Sequence, residues 1–362
     1  MGFRINGKMN LDVKGLTLDN YFFKPAGLIR YCTDKIERGK HPAWKLGVYR
    51  FILDFLDDSG IIIQKTSGTT GKPKTIELPK NAMLASAKNT VHFFNLKEGD
   101  VAALCLPIEY IAGKMMVVRA LVAGMKLELT GPSAEPDFTT IRKVDFCAMV
   151  PMQASNLLKT NSFPKIKTLI LGGAETNPEL TGQLQQTGSL VYETYGMAET
   201  CSHVALKKLT GKHNEKVFAA LPGIQLSTDN RNCLVIEAPY LSERIITNDC
   251  IEMVVPNQFK WLGRFDNVIN SGGLKIQPEN LEKQFQELLK KPCAIIGKPD
   301  KLLGQKMVLV VETAVTEEKQ KLHAKLTAYF ERKMLPKEIY LIQELPKNKS
   351  YKIDREALKK LF

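Results

Sequence analysis

A run of glycine and hydroxyl residues with two lysines is the clearest chemical signal in this sequence. Residues 66–74 read Thr-Ser-Gly-Thr-Thr-Gly-Lys-Pro-Lys and follow the apolar stretch Ile61–Ile63. Such a run after a strand exposes backbone N–H groups and hydroxyls in a concave loop that suits a polyphosphate, and the lysines add positive charge. It is not a Walker A loop, because only two residues separate its glycines and a proline follows its first lysine. The segment predicts a phosphate-binding loop, named the phosphate loop below, with a polar hairpin turn as the alternative.

A second candidate segment places an aromatic residue beside a glycine. Residues 192–200 read Tyr-Glu-Thr-Tyr-Gly-Met-Ala-Glu-Thr. Tyr195 could stack on a flat base while Gly196 lets the backbone stay close, and Glu199 could hold a magnesium ion that bridges phosphates. Taken alone, the segment could equally be the end of a strand with ordinary surface polar groups.

Two further segments lie towards the C-terminus. Residues 263–276 read Gly-Arg-Phe-Asp-Asn-Val-Ile-Asn-Ser-Gly-Gly-Leu-Lys-Ile, and the paired glycines Gly272 and Gly273 invite close approach of backbone or ligand. Arg264 could reach a ribose or a phosphate, and the same stretch could serve as a linker between domains. Residues 345–355 read Leu-Pro-Lys-Asn-Lys-Ser-Tyr-Lys-Ile-Asp-Arg, which on composition alone indicates a basic, solvated terminus.

The elements that position these segments alternate between strands and helices. Strand-like stretches at 61–63 and 168–171 precede glycine-rich turns, and helix-like segments follow at 81–94 and 114–124. This alternation predicts an α/β fold with a parallel sheet, to which both strands would belong.

The pattern of apolar and polar residues changes after Arg264. A helix should begin at Pro278, strands should follow at 293–297 and 307–311, and another helix should run from about 317 to 334. These elements suggest a small α+β domain of roughly a hundred residues. We expect a large N-terminal domain over residues 1–263, a hinge at 264–266 and a small C-terminal domain over 267–362.

Composition favours a polyanionic partner. The chain has 362 residues, with 51 Lys and Arg against 38 Asp and Glu, and a formal net charge of +13. Such a balance favours nucleotides, coenzyme A, nucleic acid or anionic lipid. We expect no nucleic-acid partner because no arginine-rich tract or aromatic–basic repeat occurs, and no membrane insertion because no apolar run approaches ~18 residues. The seven cysteines form no CxxC pair, which suggests reduced thiols in a cytoplasmic protein. A homodimer is left open.

The four segments, in this order and spacing, resemble the adenylate-forming superfamily of acyl- and aryl-CoA ligases, luciferases and peptide-synthetase adenylation domains. The resemblance runs from about Gln64 to Arg355. It implies the adenylate-forming fold, with a large α/β domain, shortened at its N-terminus, and a small mobile α+β lid. It also implies ATP, Mg²⁺ and coenzyme A as cofactors and co-substrates, and a reaction that makes an acyl-adenylate and then a thioester.

The resemblance assigns roles to individual residues. Those on the phosphates of ATP are Thr66, Ser67, Gly68, Thr69, Thr70, Gly71 and Lys74. Those around adenine are Gly172, Gly173, Ala174, Tyr195 and Gly196, and those at the ribose are Asp249 and Arg264. Glu199 is implied as the magnesium ligand and as a catalytic residue. The remaining roles are Asp266 as hinge, Lys352 as the catalytic cation at the α-phosphate, Tyr110 at the acyl pocket, and Gly272 and Gly273 at the thiol channel.

Within the superfamily, the Ser-Gly-Gly sequence at 271–273 with Pro278-Glu279 is typical of acid–CoA ligases. The short length and the phosphate loop resemble most the o-succinylbenzoate–CoA ligases of menaquinone synthesis. The chain also departs from the pattern. Only about sixty residues precede the phosphate loop, Ala198 replaces a threonine, and Tyr351 replaces the glycine before the catalytic lysine. Thr200 is the candidate to supply the hydroxyl that Ala198 lacks.

Two other functions remain open at the level of sequence. The first is an adenylating enzyme that loads another aryl or acyl acid onto a carrier-protein thiol. The second is a non-catalytic nucleotide-binding relative, which the departures at Ala198 and Tyr351 motivate. Pyrophosphate exchange and the choice of thiol acceptor separate the three.

Overall fold

The computed structural model describes residues 4–5, 8–9, 11–65, 74–211, 215–313, 319–347 and 353–362. They form two compact units. The large unit comprises residues 1–225 and 237–245, and the small unit comprises residues 226–236 and 246–362. Residues 66–73 of the phosphate loop, Tyr351 and Lys352 lie outside the described residues. No helix in the described part of the chain is both long and apolar enough to span a bilayer.

The large unit is a mixed α/β structure. Its strands are β1 (Arg4–Ile5), β2 (Lys8–Met9), β3 (Leu16–Leu18), β4 (Tyr21–Phe23), β5 (Ile61–Lys65), β6 (Thr75–Pro79), β7 (Val101–Leu104), β8 (Lys126–Leu129), β9 (Val144–Met149), β10 (Ile166–Leu171), β11 (Leu190–Met197), β12 (Ser202–Lys208) and β13 (Phe218–Ala220). Its helices are α1 (Pro25–Arg38), α2 (Ala43–Leu56), α3 (Lys80–Phe93), α4 (Ile111–Ala123), α5 (Pro151–Lys159) and α6 (Pro178–Gln185).

The main sheet of the large unit has the order β13-β12-β11-β10-β9-β7-β8-β3-β4. The strands from β11 to β3 run parallel to one another, whereas β4, β12 and β13 pair antiparallel with their neighbours. Every residue of β9 is buried, as expected for a central parallel strand with both faces covered. The predicted α/β class with a parallel sheet is confirmed.

The strand predicted at 61–63 exists but does not belong to the parallel sheet. β5 pairs antiparallel with β6 in a separate hairpin, in which Lys65 lies opposite Thr75. Its residues alternate between exposed and buried, so only one face is covered, which is typical of an antiparallel pair. The phosphate loop therefore connects the two strands of a hairpin, and the prediction of a parallel strand was wrong at this position.

The strands of the small unit lie in two sheets. Its elements are β14 (Gln225–Thr228), β15 (Cys233–Glu237), β16 (Ile245–Val255), β17 (Gln258–Arg264), β18 (Ile269–Ser271), β19 (Leu274–Ile276), α7 (Pro278–Leu289), β20 (Cys293–Asp300), β21 (Gly304–Glu312), α8 (Lys319–Thr327), β22 (Glu338–Ile342) and α9 (Arg355–Leu361). β14 to β17 lie side by side in chain order, and the second sheet has the order β19-β18-β21-β20 with β22 parallel to β21.

The second sheet of the small unit has an apolar cluster on each face. Successive residues of β20 point to opposite faces, so Ile295 joins Phe285 of α7 while Ile296 joins Leu358 of α9. The predicted α+β character is therefore present. α7 begins at Pro278 as expected, but α8 ends at Thr327 and a short 3₁₀ turn follows at Arg332–Met334, so the helix predicted to 334 is shorter.

The boundary between the units differs from the division drawn on the sequence. The structure groups residues 246–263 with the small unit, whereas the sequence argument ended the large domain at residue 263. The role of Asp266 as the hinge about which the small domain rotates stays a prediction.

Candidate functional site

The glycine turn predicted to line adenine lies at the carboxyl end of β10. The N–H of Gly172 donates to the carbonyl of Met149 (3.1 Å), and the hydroxyl of Thr194 donates to the carbonyl of Leu171 (3.1 Å). A Cβ on Gly172 would lie 2.7 Å from that hydroxyl oxygen, and Gly173 has a φ of +84°. Both positions therefore require glycine, and they form a turn at the sheet edge where open α/β folds bind ligands. Ala174 continues this turn and is exposed.

A buried carboxylate holds the other end of this turn. Glu193 of β11 accepts a hydrogen bond from the N–H of Thr176 (3.1 Å) and pairs with the ammonium of Lys207 (3.2 Å). Burial raises the pKa of Glu193, and the charge of Lys207 opposes that shift. The segment 172–176 is thereby fixed to the strand that carries Tyr195.

Tyr195 and Gly196 lie at an irregularity in the pairing of β11 with β12. The register shifts between these two residues. A Cβ on Gly196 would lie 2.2 Å from the carbonyl oxygen of Ser202, so no other residue fits without displacement of the neighbouring backbone. The ring of Tyr195 is half-buried and meets Phe218 edge-on, with ring centroids 6.0 Å apart. The structure thus fixes the ring predicted to stack on adenine.

A tight turn follows β11 and exposes Glu199. The hydroxyl of Thr200 is buried, accepts a hydrogen bond from the N–H of Met197 (3.0 Å) and lies 2.5 Å from the carbonyl oxygen of Ser202. Cys201 and Ser202 have φ values of +56° and +134°, which are strained for residues with side chains. Thr200 stabilises this turn, so in this conformation its hydroxyl does not replace the one that Ala198 lacks.

A buried arginine that the sequence argument missed lies behind the same turn. Arg119 of α4 is 1% exposed, and its Nη2 donates to the hydroxyl of Ser202 (2.6 Å) and lies 3.4 Å from Nδ1 of His203. Nε2 of His203 lies 3.1 Å from the hydroxyl of Thr90, which donates to the carbonyl of Ser86 (3.1 Å). Because a guanidinium only donates, Nδ1 must accept and Nε2 must carry the hydrogen, so His203 is neutral.

Arg119 is a fully buried charge. Among the described residues, none of the ion pairs to a carboxylate includes Arg119. Burial lowers the pKa of Arg119 to about 9. Burial, and then the charge of Arg119, hold the pKa of His203 well below its usual value. Since buried charges are normally paired, this guanidinium is suited to a carboxylate that a ligand brings. The signal in the sequence was a cation at position 119 within the otherwise apolar run 115–123 of α4.

The predicted ribose and hinge residues lie together in the small unit. Asp249 of β16 stands opposite Arg264 of β17 in the antiparallel register, with 3.6 Å between the carboxylate and Nη1. The indole N–H of Trp261 also donates to Asp249 (3.2 Å). Nη2 of Arg264 reaches Asp266 (3.1 Å), to which Asn248 also donates (3.3 Å). The cluster therefore joins the predicted ribose ligands to the predicted hinge.

The residues predicted at the acyl and thiol sites lie at turns. Gly272 and Gly273 connect β18 to β19 with φ values of +60° and +83°, and this two-residue hairpin turn favours glycine at both positions. Tyr110 precedes α4 and is 39% exposed. Arg119 lies nine residues further along that helix, or ~13 Å along its axis. Lys74 is exposed just before β6.

The described residues contain no set of three or more His, Cys, Asp or Glu side chains that could hold a metal by themselves. Mg²⁺ is usually bound by one or two carboxylates together with substrate phosphates and water. The exposed carboxylate of Glu199 fits that mode of binding, with no protein cage required. Its role as the metal ligand stays a prediction.

Comparison with known proteins adds independent findings. The model of the AMP-binding enzyme family matches residues 54–227. The 2-succinylbenzoate–CoA ligase of Bacillus cytotoxicus is 26% identical over 388 aligned positions, covering 95% of this chain and 78% of the relative.

Solved structures agree with this similarity. An acyl-CoA synthetase (AMP-forming)/AMP-acid ligase II-like protein from Dyadobacter fermentans is 34% identical, with a TM-score of 0.59 and coverage of 91% of this chain and 97% of that one. The o-succinylbenzoate CoA synthetase of Bacillus subtilis in complex with its acyl-adenylate has a TM-score of 0.78 at 17% identity, covering 95% of each chain, and shares the fold.

Proposed function

Because this chain belongs to the AMP-binding enzyme family, among the AMP-forming acyl-CoA synthetases, we propose that it activates 2-succinylbenzoate and transfers it to coenzyme A. In the first step a carboxylate oxygen attacks the α-phosphorus of ATP, which gives an acyl-adenylate and releases pyrophosphate. In the second step the thiol of coenzyme A attacks the acyl carbon and AMP leaves. This substrate places the reaction in menaquinone synthesis, as the sequence resemblance implies.

The observation that carries the substrate assignment is the buried guanidinium of Arg119. 2-Succinylbenzoate has two carboxylates, so one remains anionic when the other is adenylated. An arginine that has no acid partner among the described residues would provide the counter-charge for that second carboxylate, and its planar fork matches carboxylate geometry. Ser202 and His203 orient the guanidinium through the contacts at 2.6 Å and 3.4 Å. A monocarboxylic acid would leave the charge uncompensated.

The position of Arg119 within the large unit supports the same proposal. Ser202, which accepts its hydrogen bond, comes three residues after Glu199 in the strained turn. The predicted magnesium ligand therefore belongs to the same short turn as the residue that contacts the proposed carboxylate subsite. The 26% identical relative is itself named a 2-succinylbenzoate–CoA ligase.

The remaining roles follow from the residues predicted to bind ATP. Tyr195 would stack on adenine beside the turn of Gly172 and Gly173, and Asp249 would accept hydrogen bonds from the ribose hydroxyls. Mg²⁺, when bound, neutralises charge on the phosphates. Lys352 would stabilise the charge that develops at the α-phosphorus, where a positioned ammonium is most effective.

Pyrophosphate exchange tests this function directly. Purified protein, ATP and Mg²⁺ should exchange labelled pyrophosphate into ATP with 2-succinylbenzoate and much more slowly with benzoate or a fatty acid. Addition of coenzyme A should convert the adenylate to a thioester more efficiently than a phosphopantetheinylated carrier protein does. Faster exchange with a monocarboxylic acid would reject the substrate assignment, and preference for the carrier would reject the acceptor.

One observation favours a second candidate, a nucleotide-binding protein without activity. The hydroxyl of Thr200 is engaged within its turn, so the hydroxyl lost at Ala198 is not replaced in this conformation. This candidate predicts that calorimetry detects ATP binding while no acid in the panel supports pyrophosphate exchange. The ligase is the stronger proposal because the relative named above is a ligase, and because the buried guanidinium of Arg119 would serve an acid substrate, which nucleotide binding alone does not require.

A further inference from the structure

A buried ion pair lies at the start of α9, which begins three residues after Lys352 in the sequence. Arg355 is the first residue of α9, and its guanidinium binds both carboxylate oxygens of Glu282 on α7 at 2.7 Å each. The two side chains are 14% and 7% exposed, so this is not a surface pair weakened by solvent. Lys352 stands three residues before Arg355 in the sequence.

The pair also binds the backbone of the neighbouring sheet. The carboxylate of Glu282 accepts the N–H of Ile295 (2.5 Å), and Nη1 of Arg355 donates to the carbonyl of the same residue (2.7 Å). Glu279, one turn earlier on α7, lies 3.5 Å from Arg355 and accepts a hydrogen bond from Asn267 (2.5 Å). α9 is thereby held to α7, to β20 and to the segment next to Asp266.

The backbone of Ile353 and Asp354 is held as well. Ile353 forms an antiparallel bridge with Lys347, and the N–H of Asp354 donates to the carbonyl of Pro346 (2.8 Å). The carboxylate of Asp354 then caps α9 by accepting the N–H of Ala357 (2.9 Å). The chain that follows Lys352 therefore leaves a paired segment and enters a helix whose first residue is locked by Glu282.

We propose that Arg355 and Glu282 form a positioning pair that holds residues 353–355 and thereby positions Lys352, which precedes them in the sequence. The proposal rests on the function proposed above, in which Lys352 serves adenylation. The family resemblance implies that rotation of the small domain then removes Lys352, so that it takes no part in thioester formation. A lysine has a long flexible stem, so its ammonium is placed accurately only if its backbone is fixed. Loss of the bidentate pair should release the start of α9, and a displacement of about 1 Å at a reacting centre can cost ~100-fold in rate.

The test separates the two half-reactions in the full-length protein. Adenylation is measured as pyrophosphate release in a single turnover without coenzyme A, using 2-succinylbenzoate or whichever acid the wild type accepts. Thioester formation is measured by adding coenzyme A to enzyme and separately prepared acyl-adenylate. In R355M, adenylation should fall by about 100-fold while thioester formation stays within about twofold of wild type.

Control variants make the result specific. K359M removes a cation on the same helix that is 43% exposed and pairs with Glu356 at 3.0 Å, and it should leave both half-reactions unchanged. R355K retains the charge without the planar fork and should give an intermediate loss of adenylation. If R355M does not fold, R355K and E282Q carry the same comparison of half-reactions.

The outcomes are distinct. Unchanged adenylation in a folded R355M protein, or equal losses in both half-reactions, would overturn the positioning role. In the second case the pair would serve only the stability of the small unit. The wild type is assayed first. If it adenylates no acid, the proposed function is rejected, which is a different outcome from a failure of the positioning role.

Discussion

Replacement of Arg119 by methionine tests whether this guanidinium recognises a second substrate carboxylate. Methionine has a similar length and no charge, so R119M keeps much of the volume at a fully buried position. The wild-type charge has no acid partner among the described residues, and an unpaired buried charge costs several kcal/mol. Removal of that charge should stabilise the folded state. The substitution also leaves the hydroxyl of Ser202 and Nδ1 of His203 without their donor, which should destabilise the folded state by about 1–3 kcal/mol. We therefore expect the stability of R119M to remain near that of wild type.

The effect on catalysis should be large and specific to the acid. A hydrogen bond to a charged group contributes about 1.5–3 kcal/mol, and the burial of Arg119 favours the upper end of that range. These values correspond to a decrease of about 10- to 150-fold in kcat/KM for 2-succinylbenzoate. A monocarboxylic acid cannot reach the guanidinium with a second charge, so the slow reaction with benzoate should change by less than about threefold.

The assay is pyrophosphate exchange with both acids, together with thermal unfolding of each variant. R119K should lose less activity than R119M because it keeps the charge but not the fork. R50M removes an exposed arginine of α2 in the same unit and should behave as wild type. A parallel loss with both acids, or no loss with 2-succinylbenzoate in folded R119M, would show that Arg119 does not read the second carboxylate.

Three further predictions concern backbone, pH and catalysis. G196A should lower the melting temperature and abolish pyrophosphate exchange, because its Cβ would lie 2.2 Å from the carbonyl oxygen of Ser202. The control G182A has open space around its Cβ and should be neutral or stabilising, and calorimetry and pyrophosphate exchange of both variants check this. Because the pKa of His203 is depressed in the folded protein, the unfolded chain binds a proton at this residue first as pH falls, and folding stability is lost. Below pH about 6.5, the free energy of unfolding of wild type should therefore fall by ~1.4 kcal/mol per pH unit more than that of H203Q in urea unfolding. Equal slopes would show that His203 does not titrate on unfolding. K352A should slow pyrophosphate release by about 100-fold or more, since one positioned charge contributes ~3 kcal/mol; an unchanged single-turnover rate would remove Lys352 from the mechanism.

The sequence correctly predicted helices that are specified by residues close together in the chain. The helix expected at 81–94 is α3 (Lys80–Phe93), and α7 begins at Pro278, where proline suits the first helical turn. The strand at 61–63 was placed in the wrong sheet because an apolar triplet does not report which partner covers it. The alternating exposure of residues in β5 depends on its antiparallel pairing with β6, which the triplet does not encode. The helix expected to continue to 334 ends earlier, at Thr327.

The sequence by itself determined which chemical groups are available and in what order they follow. The need for glycine arises from the close approach of the Thr194 hydroxyl at Gly172 and of the Ser202 carbonyl at Gly196, and a motif that specifies glycine therefore records that close approach. Only the tertiary structure decided which groups meet. Arg119 contacts Ser202 across 83 residues, and Arg355 contacts Glu282 across 73. Burial and the identity of a partner depend on packing between distant segments, and these two quantities determine whether a charge supports a turn, holds a helix or recognises a substrate.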